Sequence, residues 1–386
     1  RYGTVTGVQT CALTIYGGFN FDLSKLTPAN GTIYFFSRKW GLAFQDQGRE
    51  LWKLTGPKDS ATIVKDISPG QGDGILFNPF IKNFNGIVYF KADDGVRGEE
   101  LWKTDGTTEG TVLVKDIAPG IGSSSITDMF DVNGILYFAA DDGKIGLELW
   151  KTDGTSEGTV LVRDIARGTE GSEPQYYCGT GTTLYFSAID QTNGTELWKS
   201  DGTSTGTMLV KDIVPGNMSA YPFLGKSINE IVYFMANDGI NGRELWKTDG
   251  TEAGTALLKD INPGNADGSP IFGTTINNTL YFTADNGSTG RELWKTNGTA
   301  AGTVLVKDIF PGAGGSTIGL TNVNGTLFFT AYSAAEGFEL WKSDGTASGT
   351  VLVKDINPGT GFGYPENFIN LNGTLFLDRK STRLNS

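Results

Sequence analysis

Short runs of alternating apolar and polar residues, separated by glycine-rich turns, make up most of the chain. In the unit spanning residues 121–168, segment 127–132 alternates and ends at an Asn-Gly dipeptide, the sequence most typical of a tight β-hairpin. Segment 135–140 is almost continuously apolar, which predicts a strand buried on both faces. Segments 148–152 and 159–165 predict two further strands, and no window shows the 3.6-residue apolar period of a helix. The unit is therefore predicted to hold four antiparallel strands.

The same unit recurs along the chain. The phrase Glu-Leu-Trp-Lys-x-Asp-Gly-Thr-x-x-Gly-Thr-x-Leu-Val-Lys-Asp-Ile occurs seven times in closely related form. A repeat of four strands at this period is typical of a β-propeller, in which each blade packs face to face on the next. A β-helix or solenoid is the alternative, but Asn-Gly hairpins are difficult to fit into it. The tryptophans of the seven copies are Trp52, Trp102, Trp150, Trp198, Trp246, Trp294 and Trp341.

The predicted fold is therefore all-β: a propeller of four-stranded antiparallel blades, with seven complete repeats and a partial eighth. The eighth repeat starts at Gly361 and supplies two strand-like runs around Asn372-Gly373 before the pattern stops at Leu377. A seven-bladed ring with a spare hairpin and an eight-bladed ring both fit this pattern. The sharp break indicates that the parent gene continues, which favours eight blades.

Both ends of the chain differ from the repeats. Residues 1–16 and residues 378–386 resemble in-frame translations of a common sequencing adapter. We therefore assign both as non-native segments and residues 17–377 as a single propeller array. On this interpretation the native N-terminus is not in the sequence, so a signal peptide or a sorting tail cannot be read from it.

The recurring phrase Glu-Leu-Trp-x-x-Asp-Gly-Thr resembles that of the bacterial ELWxxDGT repeat proteins, sometimes called hyalin-like. The resemblance covers about residues 17–377, which is all of the chain between the adapter-like ends. It implies a secreted or cell-surface propeller that is part of a longer multidomain chain. It implies no particular biochemical activity.

Composition excludes several classes of function. The chain contains no histidine, which excludes histidine-based general base catalysis and histidine metal sites. Its net charge of −12 argues against nucleic acid or an anionic membrane as partner, because phosphates would be repelled. No apolar run is long enough to suggest a membrane span. Neither Cys11 nor Cys178 recurs with the repeat, so no disulfide framework is predicted.

Most residues of the recurring phrase are interpreted as structural. A tryptophan at the same strand position in every unit is expected to pack between adjacent sheets, although a sugar-stacking platform is the alternative. Pairs such as Lys115-Asp116 are expected to be solvated or paired residues on an outer edge strand, rather than a charged binding ring. Asp105-Gly106-Thr107 and its copies are expected to form turns rather than phosphate or calcium loops.

Candidate ligand-binding residues lie at two sets of turns that are predicted to share one face. The connections from strand four to the next strand one vary most between copies, and function tends to reside on variable loops of a rigid scaffold. The alternative for their aromatic residues is that they begin strand one and point into the core. The candidates are Asp94, Asp142, Asp190, Asp238 and Asp285 from the strand two–three turns, and Tyr176, Tyr177 and Tyr221 from the variable connections.

The acidic turns raise the question of calcium, which prefers clustered carboxylates and backbone carbonyls. They lack the spacing of an EF-hand or of the calcium-binding nonapeptide, so we predict no metal ligands and no cofactor, with calcium as the alternative. Most acidic residues are copies of one another, whereas glycosidases need two unique carboxylates. No catalytic residue is therefore assigned.

The sequence favours a noncatalytic extracellular or cell-surface module that binds or displays a protein or carbohydrate ligand. Two alternatives remain open. One is a propeller-fold enzyme acting on polysaccharide, as a glycoside hydrolase or lyase. The other is a calcium-stabilised adhesion scaffold.

Overall fold

A computed structural model describes most of the chain. The described residues are 19–21, 26–39, 48–56, 61–70, 72–76, 79–127 and 129–379. The adapter-like segment 1–16 and residues 380–386 lie outside them. All regular secondary structure in the described ranges is β, so these ranges hold no helix that could span a membrane.

The strands form seven consecutive antiparallel sheets and the start of an eighth. Blades two to seven have four strands each, ordered as in the sequence, whereas the first blade has five, because Phe19–Phe21 and Thr27–Ala29 both pair with Thr32–Lys39. The first three blades consist of β1 (Phe19–Phe21), β2 (Thr27–Ala29), β3 (Thr32–Lys39), β4 (Glu50–Leu54) and β5 (Thr62–Lys65); β6 (Ile81–Phe84), β7 (Ile87–Asp93), β8 (Glu99–Thr104) and β9 (Val112–Lys115); and β10 (Phe130–Val132), β11 (Ile135–Asp141), β12 (Leu147–Thr152) and β13 (Val160–Arg163). Blades four and five consist of β14 (Gln175–Thr180), β15 (Thr183–Asp190), β16 (Gly194–Ser200) and β17 (Met208–Lys211); and β18 (Phe223–Ile228), β19 (Ile231–Asn237), β20 (Arg243–Thr248) and β21 (Ala256–Lys259).

The remaining strands complete blades six and seven and begin the eighth. They are β22 (Ile271–Ile276), β23 (Thr279–Asp285), β24 (Arg291–Thr296) and β25 (Val304–Lys307); β26 (Thr317–Val323), β27 (Thr326–Ser333), β28 (Gly337–Ser343) and β29 (Val351–Lys354); and β30 (Pro365–Leu371) and β31 (Thr374–Arg379). Strand one of each of blades three to seven contacts strand one of the blade that follows it. The all-β propeller arrangement predicted from the repeat is confirmed.

The tight hairpins form where the Asn-Gly dipeptides predict them. Val132 pairs with Ile135 across the turn, and Asn133 and Gly134 both have the positive φ angles that such a turn requires, +49° and +81°. In the partial eighth blade, β30 and β31 form a hairpin of the same kind. Strand β31 reaches Arg379, two residues into the segment that was assigned to the adapter-like tail.

The tryptophan of each blade from two to seven packs on the blade before it. Trp246 of blade five is buried in one cluster with Tyr185, Leu197 and Val210 of blade four. The other successive pairs of blades build equivalent clusters. The tryptophans therefore serve as packing residues between sheets, as expected from their regular spacing.

In blades one to six, the lysine that follows the tryptophan crosses to the next blade. Lys199 Nζ of blade four donates a hydrogen bond of 2.8 Å to the carbonyl of Gly250 in the Asp-Gly-Thr turn of blade five. That glycine has φ of +87°, and a Cβ atom there would lie 2.3 Å from the hydroxyl of Tyr185. Glycine is thus required by both its backbone conformation and the neighbouring blade.

The lysines of strand four differ from the sequence expectation. They were expected to be solvated or paired on an outer edge, but Lys211 Nζ of blade four donates to the carbonyl of Thr255 in blade five at 3.1 Å. Lys65, Lys115 and Lys307 make the corresponding bond between other blades. The outer strands are therefore fastened to one another, which reduces the splaying of neighbouring sheets.

Replacing one packing tryptophan tests the importance of this contact. Trp246→Ala should lower the free energy of unfolding by about 3–5 kcal/mol, because the substitution leaves a cavity between blades four and five. Ile240→Ala in the same blade is the control, since Ile240 is 73% exposed and should change stability little. Urea-induced unfolding followed by circular dichroism measures both. Equal losses for the two variants would contradict the assigned role.

Candidate functional site

The aspartates of the strand two–three turns accept hydrogen bonds from their own turns. Asp94 Oδ1 accepts the backbone N–H groups of Val96 and Arg97, both at 2.9 Å, and its other oxygen pairs with the Arg97 guanidinium. Burial raises the pKa of Asp94, but these donors outweigh burial and hold the pKa below its usual value. The carboxylate is already satisfied within the turn.

The equivalent candidates behave alike. Asp142 accepts two backbone N–H groups of its turn, and Asp190 and Asp238 each accept two backbone N–H groups and an asparagine side chain. Asp285 lies one position earlier in its turn, where Asp93 lies in blade two, and accepts the N–H of Gly287 as Asp93 accepts that of Gly95. In the part of the chain that the structure describes, no three Cys, Asp or Glu side chains are grouped so as to hold a metal ion.

A buried glutamate in each blade holds the connection to the next blade. Glu196, which precedes the Leu-Trp of blade four, accepts backbone N–H groups from Ile213, Val214 and Ala220. It thereby fastens the strand four–one connection to strand three. The sequence signal for this role is the glutamate that directly precedes Leu-Trp in all seven copies of the repeat.

Five of these glutamates have pKa values far from their ordinary range. Burial raises the pKa of Glu196 to about 7, the nearby Asp212 raises it further, and the backbone N–H donors oppose the increase. Glu50, Glu100, Glu244 and Glu292 have pKa values of about 7 for the same reasons. The carboxyl groups are fully shielded from solvent, so their role is structural rather than ligand binding.

A groove lies on the face where the strand two–three turns and the strand four–one connections meet. It consists of a cavity of about 530 Å³ against blades four and five and a cavity of about 570 Å³ against blades three and four. The two cavities share Glu173, Gln175 and Tyr176, so they adjoin at these residues, and together they form a groove that extends across three blades. Tyr221, Phe223 and Arg243 line its blade-five side.

A β-bulge directs Tyr176 into the groove. The register of β14 with β15 shifts between Gln175 and Cys178, and Tyr176 has φ of +54°. Its ring is 47% exposed and packs against Phe223, with the ring centroids 4.6 Å apart. A bulky residue at positive φ is an outlier that the surrounding structure must hold in place, and such outliers concentrate at functional sites.

The neighbouring Tyr177 has the opposite environment. It is half-buried, its hydroxyl donates to the carbonyl of Pro174 at 2.8 Å, and its ring centroid lies 6.4 Å from that of Phe186 in the core. The alternative interpretation, that an aromatic residue at this point begins strand one and points into the core, therefore applies to Tyr177. It does not apply to Tyr176.

The groove carries charges that belong to individual blades. Glu170 and Glu173 are exposed on its wall, and Arg243 lies opposite on blade five. The repeats before and after have serine or tyrosine where blade four has Glu173, so folding of a blade does not require this carboxylate. The tyrosine at that position in blade five is Tyr221, which is 61% exposed and has φ of +48°.

The structure thus brings together Tyr176, Tyr177, Tyr221 and Asp190 from the predicted set at the groove. Asp94, Asp142, Asp238 and Asp285 lie at the turns of other blades and do not line the groove. Sequence reasoning missed the contributions of other residues. These are Glu170, Glu173, Gln175, Phe223 and Arg243.

No family model and no curated protein matches the chain. Several solved structures are similar in fold. A puromycin hydrolase matches with 13% identity and a TM-score of 0.44, over 91% of this chain and 57% of the other. A puromycin-hydrolyzing peptidase from Mycobacterium tuberculosis matches with 10% identity and a TM-score of 0.44, over 92% and 57%. A prolyl endopeptidase structure matches with 10% identity and a TM-score of 0.44, over 87% and 48%.

The chain spans about half the length of these proteins, and the likeness concerns the fold alone. The matches contradict the function that the sequence favours. That expectation is a noncatalytic module for binding or display, whereas the solved structures reported above are peptidases.

The buried glutamates predict an unusual dependence of stability on pH. The pKa of Glu50, Glu100, Glu196, Glu244 and Glu292 is about 7 in the folded state and about 4.5 in the unfolded state, so the unfolded chain loses these protons first. Stability should therefore fall as the pH rises from 5 to 8 and level off above the folded pKa. Thermal unfolding at these two pH values should show a melting temperature several degrees lower at pH 8.

A single substitution separates this effect from general charge repulsion. Glu196→Gln removes one of the titrating groups, and the difference in melting temperature between pH 5 and pH 8 should become smaller. The variant should be less stable than the parent at pH 5, because an amide has only one oxygen for the three N–H donors. A melting temperature that stays constant or rises towards pH 8 in the parent would contradict the raised pKa values.

Proposed function

We propose that this chain is the substrate-holding β-propeller of a hydrolytic enzyme, and that its groove receives an extended polypeptide. The observation that carries the proposal is that the two cavities adjoin at Tyr176 and together extend across three blades. A single isolated pocket would fit a small molecule, whereas two adjoining cavities that extend across three blades fit a polymer.

The lining supports a polypeptide as the substrate. Tyr176, Tyr221 and Phe223 offer aromatic surface to apolar side chains or to proline rings. Glu173 and Arg243 supply charges of both signs to the lining of the blade four–five cavity. Polypeptides carry charged groups of both signs, whereas a neutral polysaccharide would leave both of these charges unpaired.

In this proposal the groove residues bind and orient the substrate chain. Aromatic contacts fix its position, and the charged residues select its register, so that one peptide bond is held in a constant place. The chain contains no histidine, so a serine–histidine–aspartate triad cannot form from its own residues. We assign no bond-breaking residue.

The proposal predicts polypeptide binding that depends on Tyr176. Reduced, carboxymethylated casein labelled with fluorescein should bind the purified chain, and Tyr176→Ala should weaken binding roughly tenfold or more. Fluorescence anisotropy measures the affinity. Phe362→Ala is the matched control, since Phe362 is equally exposed at 47% but lies outside the groove.

Unbound casein, or binding unchanged by Tyr176→Ala, would overturn the substrate assignment. Binding of neutral oligosaccharides in place of casein would assign the groove to polysaccharide.

A further inference from the structure

The face of blade seven that points away from blade six differs from the corresponding face of every earlier blade. In blades one to six, the apolar residue at the third position of strand four is almost fully buried, because the tryptophan of the next blade packs on this face. The exposed fractions are 2% for Val64, 5% for Val114 and Val162, and 6% for Val210, Leu258 and Val306. Val353 holds this position in blade seven and is 42% exposed.

The partial eighth blade shows the same lack of cover. Leu371 at the end of β30 is 56% exposed, whereas its counterpart Val132 in blade three is 5% exposed. Leu375 of β31 is partly exposed, although its counterpart Leu136 is fully buried. Among the strands that the structure describes, β31 pairs with β30 alone, so its other edge has free backbone donors and acceptors.

Two cations on this face also have no acceptor. In blades one to six, the lysine after the tryptophan donates to a carbonyl of the following blade, as Lys199 does to Gly250. Lys342, its counterpart in blade seven, is exposed and makes no such bond with any described residue. Lys354 of strand four is likewise exposed, whereas its counterpart Lys307 bonds to Thr350.

We propose that this surface is a docking site for a β-hairpin of the repeat sequence itself, with a Glu-Leu-Trp-Lys strand and a Val-Leu-Val-Lys strand. We define the docking site as Val353, Leu371, Leu375, Lys342 and Lys354 together with the free edge of β31. The occupant is specified by the six equivalent interfaces, in which such a hairpin covers the same positions. The docking site and those interfaces are continuous in one array.

Each part of the hairpin meets a specific unsatisfied group. Its first strand adds to the free edge of β31 through backbone hydrogen bonds, as third strands do in the other blades. Its tryptophan covers Val353, and its Asp-Gly-Thr turn brings a glycine carbonyl to Lys342. The carbonyl that precedes its second strand reaches Lys354, as that of Thr350 reaches Lys307.

A synthetic peptide with the sequence of residues 99–116 provides the probe, because it contains both strands and the turn of blade two. The fluorescein-labelled peptide should bind the intact chain with one-to-one stoichiometry and raise its melting temperature. The same peptide with Trp102→Ala should bind roughly 30-fold more weakly, since a buried tryptophan at an interface centre is a typical hot spot.

Variants of the chain locate the binding site. Val353→Asp should abolish peptide binding without unfolding the protein, because the side chain is exposed, and circular dichroism checks the fold. Val351→Asp is the matched control, because Val351 lies two residues away and is 38% exposed. Its counterpart in blade six, Val304, is also 38% exposed although blade seven packs on blade six, so this position is not covered by a following blade. Lys342→Met should weaken binding a few-fold through the lost hydrogen bond.

Three results would overturn the proposal. They are absence of peptide binding, equal binding of the Trp102→Ala peptide, and equal binding to the Val353→Asp variant. A concentration-dependent dimer of the chain that Val353→Asp disperses would assign the docking site to a second copy instead. The test is independent of the groove, because Val353 lies outside it.

Discussion

The contact between successive blades is the interaction on which the rest of the structure depends. A single four-stranded sheet has two apolar faces and cannot bury either of them alone, so each blade is stable only against its neighbours. The tryptophan packs in this contact, and the lysine after the tryptophan adds a hydrogen bond to the next blade, as Lys199 does to Gly250. The recurring phrase thus encodes an interface rather than a binding site.

This constraint explains why candidate function is found at departures from the repeat. Residues that are present in every copy are occupied in folding: the glutamate holds a connection, the aspartate closes a turn, and the glycine admits a tyrosine from the neighbouring blade. Tyr176 and Glu173 are not needed for any of these contacts. Their exposure in a groove is therefore better explained by a ligand than by stability.

Most of the fold could be predicted because its signals are local. An Asn-Gly dipeptide between two apolar runs specifies a hairpin through the φ angles of two residues, and Asp105-Gly106-Thr107 forms the predicted turn through bonds within three residues. The crossing of Lys211 to Thr255 could not be predicted in this way, because it joins residues 44 positions apart on different sheets. The same limit applies to the charged residues that meet in the groove.

The site itself depended on a shift in register that sequence periodicity cannot reveal. When the repeats are aligned, Tyr176 corresponds to Leu224 of blade five, which is buried. Tyr177 corresponds to Gly225, which is the bulge residue of blade five. In blade four the bulge begins one residue earlier, so Tyr177 takes the core position and Tyr176 turns outward. Both tyrosines satisfy the same apolar pattern, and only the pairing of β14 with β15 distinguishes them.

The groove and the scaffold are finally joined by one buried side chain. Glu148 of blade three accepts the N–H groups of Ile165 and Ala166 and the hydroxyl of Ser172, which directly precedes Glu173 in the groove wall. Burial raises the pKa of this glutamate, and the hydroxyl and N–H donors oppose the increase. The strained conformation of Tyr176 costs about 1–3 kcal/mol, and it can persist because this connection is fixed at its base. The repeat therefore contributes to the site indirectly, by holding in place a segment whose own sequence does not repeat.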